Sequence, residues 1–189
     1  GRAAEKTRWD VADELVARGQ YQAAGELFER LEREFMQNPQ ARQYALYQQG
    51  FCRLKDKQPI LAFAIWQRLR TFYPLSPYVV KALLLEADCP DAAGRRDRLY
   101  DVILAKYPTS DAAATVLLKR GQRAHEEQDY KSAVKWWQEF VSRFPKHKQS
   151  AEVKKKLAVA ELVVNAGASV GARLGTVRQL VAGGESAAA

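Results

Sequence analysis

Prolines punctuate this chain at nearly equal intervals. Pro39, Pro74, Pro108 and Pro145 follow one another at steps of 35, 34 and 37 residues. Three of them stand directly after an aromatic residue, in Phe72-Tyr73-Pro74, Lys106-Tyr107-Pro108 and Arg143-Phe144-Pro145. Each is soon followed by Ser, Thr or Asp: Ser76, then Thr109 with Ser110 and Asp111, then Ser150. Proline cannot continue a helix, and a Ser or Asp side chain can cap the free N–H groups that open the next one. Pro77, just after Ser76, fits the first helical position, where a missing N–H costs nothing. A period near 35 therefore commits the chain to copies of one helix-containing unit, each burying its apolar face against a neighbour.

A second regularity lies inside the period. Gly50, Ala62, Trp66 and Pro74 are spaced 12, 4 and 8, and Gly121, Ala133, Trp137 and Pro145 repeat that spacing. Ala12, Ala24 and Phe28 repeat the 12 and 4 steps. Two small residues on facing helices let the backbones of an antiparallel pair approach. An aromatic four residues after the second small residue lies on the same face and fills the gap. The pattern predicts helices near 3–18, 20–36, 40–55, 58–73, 77–88, 91–107, 110–128, 130–144 and 149–165. No period-2 alternation predicts a strand.

The 189 residues suit one domain or one short repeat array, and 28% charged with 47% hydrophobic residues is not a disordered composition. No run of eighteen apolar residues offers a membrane span. The chain opens on Gly1 and its one methionine is Met36, which reads as a processed protein or a fragment; a membrane tether would then lie in missing N-terminal sequence. The net charge of +8 favours acidic partners at long range. Cys52 and Cys89 occupy equivalent positions in consecutive repeats, farther apart than a disulfide bridges, so buried thiols are expected. From Asn165 the composition turns to Gly and Ala, and residues 166–189 read as a tail, partly helical or disordered, with Gly183 to Ala189 expected to be disordered. Three readings stand for this tail. Gly167, Gly171 and Gly175 could form a membrane dimer face, although Arg173, Arg178 and Gln179 interrupt it; the segment could pack over the open end of the array; or it could be a linker.

The Gly50–Ala62–Trp66–Pro74 and Gly121–Ala133–Trp137–Pro145 sets, with Ala12–Ala24–Phe28, resemble the tetratricopeptide repeat, a helix pair of about 34 residues. The resemblance implies an all-α fold, a right-handed superhelix of stacked antiparallel helix pairs, with about four repeats and a closing helix over residues 1–165. The third repeat departs from the pattern: Arg96 stands where Ala is expected, and the unit is short at Cys89-Pro90. The endings Tyr73-Pro74-Leu75-Ser76 and Tyr107-Pro108-Thr109-Ser110 look most like the bacterial cell-envelope branch, which includes the outer-membrane assembly lipoprotein and the Tol–Pal coordinator. That likeness implies a periplasmic or outer-membrane-associated protein, with a cytoplasmic one as the alternative.

The resemblance also implies that the first helix of each pair lines a groove for a partner. It selects Trp9 and Asp13; Tyr44, Tyr47, Phe51 and Leu54; Lys81, Leu84 and Asp88; and Thr115, Leu118, Gln122 and His125. Tyr44, Tyr47 and Phe51 step by 3 and 4 and so form one aromatic stripe, which serves either packing between repeats or capture of a peptide. Trp137 takes the core position of its repeat, and Trp136 is expected to pack against the closing helix. Arg143, Lys146, Lys148, Lys154, Lys155 and Lys156 make the densest basic stretch, set against one acid, Glu152. It reads as a solvated face or as an attractor for phosphate or an acidic segment.

Catalytic patterns do not occur: no Gly-rich phosphate loop, no Gly-x-Ser-x-Gly, no His-Glu-x-x-His and no Cys-x-x-Cys. His125-Glu126-Glu127 has the wrong spacing for zinc and is expected at the surface, and His147 lies in a basic turn. No enzyme activity, cofactor or metal is expected. The function read from the sequence is a scaffold that binds another protein, as a peptide or helical segment with acidic character, in its inner groove. Two alternatives are a recognition or spacer part of a larger envelope enzyme and a basic helical-repeat nucleic-acid binder. The acid–base balance sets the second apart as weak and salt-sensitive, and no specific nucleic acid is expected.

Overall fold

The computed structural model describes the backbone of residues 2–90 and 94–185, and the side chains of residues 7–90 and 94–167. Its described residues form helices and turns and no strand. The helices are α1 (Arg2–Ala17), α2 (Tyr21–Glu34), α3 (Pro39–Lys55), α4 (Pro59–Phe72), α5 (Pro77–Asp88), α6 (Arg96–Lys106), α7 (Asp111–Glu126), α8 (Tyr130–Arg143) and α9 (Ser150–Glu185). They fall into two compact units, Gly1–Pro108 with α1 to α6 and Thr109–Ala189 with α7 to α9. Within each unit, consecutive helices joined by short turns pack side by side: α1 on α2, α3 on α4 and α5 on α6 in the first, α7 on α8 and α8 on α9 in the second. This is the all-α, tetratricopeptide-like stack of helix pairs that the spacing predicts.

The ends of the helices follow from the punctuation. Asn38 accepts from the Ala41 N–H at 3.1 Å, Ser76 from Tyr78 at 3.3 Å, Ser110 from Ala113 at 3.1 Å and Asp129 from Ser132 at 3.1 Å. Pro39 and Pro77 sit in the first turns they open. Tyr73, Tyr107 and Phe144 each close a helix by donating their N–H back to Leu69, Ile103 and Phe140, and the following proline ends the run. The turn inside a pair has its own device. Gly19, Lys57 and Gln128 occupy equivalent positions and share a left-handed backbone, with φ of 74°, 59° and 62°. Only the first is the residue that adopts this conformation without steric cost.

Helix pairs close where Gly50 faces Trp66 and Gly121 faces Trp137. A β-carbon at either glycine would lie less than 3.0 Å from the indole Nε1. Trp66 has no exposed surface, and its Nε1 donates to the Tyr47 carbonyl at 3.1 Å, so the indole is both packed and satisfied. In the first repeat Ala12, Ala24 and Phe28 fill the same places, all fully buried. The third repeat solves its departure differently. Arg96, half-buried, donates Nε–H to the Ala87 carbonyl at 3.0 Å, and Tyr100 stands where tryptophan stands elsewhere, donating its hydroxyl to Asp88 at 3.1 Å.

Two carboxylates are buried between consecutive repeats of the first unit. Glu32 of α2 accepts from Arg42 of α3 at 3.0 Å and from Arg68 of α4 at 3.0 Å. Glu86 of α5 accepts from Arg70 of α4 at 2.8 Å and pairs with Arg95 at 3.2 Å. The side chains of Glu32 and Glu86 are 5% and 2% exposed, so each carboxylate exchanges water for two guanidinium groups.

The sequence expectations need correction at the C-terminus. Helix α9 continues past Asn165, where the closing helix was expected to end, and through Gly183 to Glu185, which were expected to be disordered. Ser186 to Ala189 lie outside the described residues, as does the expected start of α6 at 91. Gly50→Ala is expected to destabilise the first unit by about 2–3 kcal/mol, because the methyl must displace a fully packed indole. Lys57→Gly is expected to stabilise it by about 0.5–1 kcal/mol through relief of the left-handed backbone. Thermal and urea melts measure both.

Candidate functional site

In the first unit, α1, α3 and α5 bring aromatic rings into one row. Trp9 meets Phe28, Phe35 and Tyr44 with ring centroids 6.2, 5.7 and 5.9 Å apart. Tyr44 meets Tyr78 at 5.7 Å, and Tyr78 stacks on Tyr47 at 5.2 Å. The period of 3.6 residues explains the row: Tyr44 and Tyr47 lie one turn apart on α3 and face the first turn of α5. Trp9, Tyr44, Tyr47 and Tyr78 are half-buried, so each ring has one side in packing and one side toward water.

Polar groups cluster at one end of this row. The Tyr44 hydroxyl donates to Asp13 Oδ1 at 2.5 Å and accepts from the Gln48 amide at 2.8 Å. Burial, and then the hydrogen bond to Asp13, raise the Tyr44 phenol above its ordinary 10.0. Burial, with the neighbouring Tyr78, raises Tyr47 as well. Asp13 is exposed and can accept more than these bonds. Toward the other end, Lys81 lies 5.5 Å from the centre of the Tyr78 ring, and Lys55 lies 5.5 Å from that of Phe51. Leu54, Lys55, Pro59, Leu85 and Asp88 border a cavity of about 440 Å³ there.

The residues selected from sequence thus divide. Trp9, Asp13, Tyr44 and Tyr47 meet in one connected cluster. Leu54 lines the cavity, Lys81 is exposed beside Tyr78, and Leu84 is half-buried on α5. Phe51 turns toward repeat one, its ring edge-on to Tyr21 at 6.2 Å. Packing and exposure are therefore not alternatives for this stripe, since Tyr44 and Tyr47 do both. Tyr78 and Gln48 were missed. Their signal was present, because Tyr78 precedes Lys81 by three residues and Gln48 follows Tyr44 by four, which places each on a selected face.

In the second unit, Leu118 and Gln122 line a cavity of about 310 Å³ between α7 and α9, with Lys119, Arg123, Glu126 and Lys156 at its border. Thr115 is half-buried and turns its hydroxyl back to the Asp111 carbonyl at 2.9 Å. His125, expected at the surface, is half-buried, 5.4 Å from the Tyr130 ring and 5.5 Å from that of Trp137. Trp137 takes its core position at 2% exposure, while Trp136 carries Arg120 at 4.7 Å and Lys135 at 4.9 Å from its ring. In the basic stretch, Arg143 pairs with Glu139 at 2.7 Å and Lys156 with Glu152 at 2.9 Å; Lys146, Lys148, Lys154 and Lys155 are exposed. His147 packs edge-on to Phe140 at 5.3 Å and accepts from the Gln149 N–H.

The tetratricopeptide repeat family model matches residues 44–76, the segment that holds α3, α4 and the Gly50–Trp66 contact. That segment is similar to one tetratricopeptide repeat. No curated protein matches the chain. Tetratricopeptide repeats serve protein–protein interaction, which fits inner-helix side chains that are aromatic, polar at their tips and half open. Among the described residues no group of His, Cys, Asp and Glu is arranged to hold a metal ion.

The raised ionisations set an alkaline limit. Burial pushes the Cys52 thiol from 9.0 up to about 12, and the Tyr44 phenol is raised too, so both stay protonated in the fold where the unfolded chain ionises. Their contribution is complete below about pH 9 and is lost as pH rises from there toward 12. Melting temperature is expected to be level up to about pH 9 and to fall above it, with a shallower fall in Cys52→Ala and in Tyr44→Phe.

Proposed function

We propose that this chain is a non-catalytic interaction scaffold that holds a peptide or helical segment of another protein along the row formed by α1, α3 and α5. The observation that carries the reading is the Tyr47–Tyr78 stack at 5.2 Å, half open to solvent, beside Lys81, with the half-buried Leu84 one turn further along α5 from Lys81. Stacked tyrosines give a rigid platform that loses little entropy on binding, and each hydroxyl remains to select a polar group. Lys55 and Lys81 border the row and draw acidic side chains, while Asp13 and Gln48 give the opposite end a hydrogen-bonding function. The partner is therefore a segment with apolar anchors and acidic flanks.

The setting that fits is the bacterial cell envelope, in the periplasm or at the outer membrane, where such a scaffold would serve assembly or maintenance. What supports it is the likeness of the Tyr-Pro-Leu-Ser and Tyr-Pro-Thr-Ser endings at 73–76 and 107–110 to that branch of the family. The excess of basic residues, +8 over the chain, steers acidic partners and anionic surfaces at long range and weakens with salt.

A photo-crosslinking residue placed at Leu84 of the full chain, in cells of its source, tests the reading. The expected result is a discrete protein adduct that Tyr47→Ala with Lys81→Ala reduces at least about tenfold, the scale of a lost aromatic and ionic contact at an interface. Circular dichroism melts control for folding. No adduct, or one that the paired substitution leaves unchanged, overturns the proposal.

A further inference from the structure

Arg8, Glu14 and Arg42, on the inner helices α1 and α3, are each taken up by an ion pair: Arg8 with Glu34 at 2.5 Å, Glu14 with Arg18, and Arg42 with Glu32 at 3.0 Å. The charges on the aromatic row are not. Asp13 of α1, Lys55 of α3 and Lys81 of α5 form no ion pair among the described residues. Charges left unpaired on one surface are free to meet charges on another molecule.

Asp13 is held in place with half of its carboxylate unused. The Tyr44 hydroxyl at 2.5 Å and the Gln48 amide at 3.5 Å both donate to Oδ1. Oδ2 accepts no hydrogen bond among the described residues, and the side chain is exposed. The Tyr44 bond fixes the carboxylate before any ligand arrives. Trp9 stands one turn earlier on α1 and so shares a face with Asp13. Its ring lies 5.9 Å from that of Tyr44, tilted by 49°, and both are half-buried. A carboxylate oxygen without a partner, beside two half-open ring faces, has the chemistry that takes a cation. A guanidinium suits it better than an ammonium. Its plane rests on a ring while its fork of donors meets the carboxylate, and it sheds water at lower cost.

We propose that Asp13, Trp9 and Tyr44 form a subsite for an arginine side chain of the bound segment. This rests on the reading of the row as a surface that holds a peptide. It adds an orientation, because the other end of the row is cationic at Lys55 and Lys81. The arginine lies against α1, and the acidic residues lie beside α5. Successive inner helices at about 8–10 Å put α1 and α5 about 16–20 Å apart, the span of about five or six extended residues.

Two capped synthetic peptides, Arg-Ser-Leu-Ser-Leu-Glu-Glu and the same residues in reverse order, probe this in titrations of the full chain. Calorimetry gives Kd, and the indole N–H resonance of Trp9 reports the place. One direction is expected to bind and to shift that resonance. Citrulline for the arginine keeps the shape and removes the charge, and is expected to weaken binding about tenfold. Asp13→Asn, which still accepts from Tyr44, is expected to weaken it equally with an unchanged melt, and the two changes together no more than either alone. Binding that ignores citrulline or Asp13→Asn overturns the subsite; if Tyr47→Ala with Lys81→Ala still abolishes that binding, the reading of the row stands. Losses that add rather than coincide overturn the subsite as well, since the arginine and Asp13 then do not meet. If neither peptide binds, the subsite is overturned, and the cross-link at Leu84 decides the wider reading alone.

Discussion

The contact on which the described packing most depends is an indole lying directly over a glycine. In two repeats the tryptophan side chain covers the place where a β-carbon would be, at Gly50 and at Gly121. Two consequences follow. The helices of a pair approach until backbone and ring touch, which fixes the angle at which the inner helix presents its outward residues. The indole N–H also reaches the carbonyl of Tyr47, one turn before Gly50, and so ties the core to a residue that faces the candidate site. Packing and site geometry are thus one constraint, because a shift of Trp66 moves the backbone that carries Tyr47.

The row of rings on α1, α3 and α5 shows how a stack of repeats acquires a binding surface without a dedicated loop. Helices that recur in parallel place side chains from the same position of successive repeats beside one another. Where those side chains are tyrosines, one face joins the repeats and the other stays wet. Tyr44 illustrates both duties: its ring touches Trp9, Phe28 and Tyr78, and its hydroxyl reaches Asp13 and Gln48. A surface built this way is preorganised, since its rings are held by packing before any partner arrives.

Much of this was legible in the residues alone. The 12, 4 and 8 spacings located the helix pairs and their closest approach, and the aromatic–proline–serine endings located the breaks, because sterics and capping act locally and leave local marks. The site was legible in part. Tyr44 and Tyr47 were selected through the groove positions that the family resemblance implies, whereas Tyr78, on the same face as the selected Lys81, was passed over because its contact with Tyr47 joins α5 to α3 across about thirty residues of sequence. His125 was assigned to the surface once its spacing excluded zinc, and its ring meets those of Tyr130 and Trp137, which come from the next helix. Glu32 and Glu86 gave no sign of burial, since the arginines that admit them come from other helices. The end of the last helix was placed at Asn165 because glycine content lowers helix propensity, whereas α9 runs on to Glu185.

The charges divide by chemistry as well as by place. Arginines hold the two buried carboxylates: Arg42 and Arg68 on Glu32, Arg70 and Arg95 on Glu86. A planar fork of donors can satisfy a carboxylate within a packed interface and sheds its water at lower cost than an ammonium does. These four arginines are committed to the fold, so they add little to the field a partner meets. The lysines at 146, 148, 154 and 155 are exposed on the second unit, each a hydrated point charge on a flexible stem. Cohesion between these repeats therefore comes from arginine, while the exposed lysines add to the positive surface. That division explains how a chain of net charge +8 can spend part of its basic residues on joining its own repeats and still present a positive surface to others.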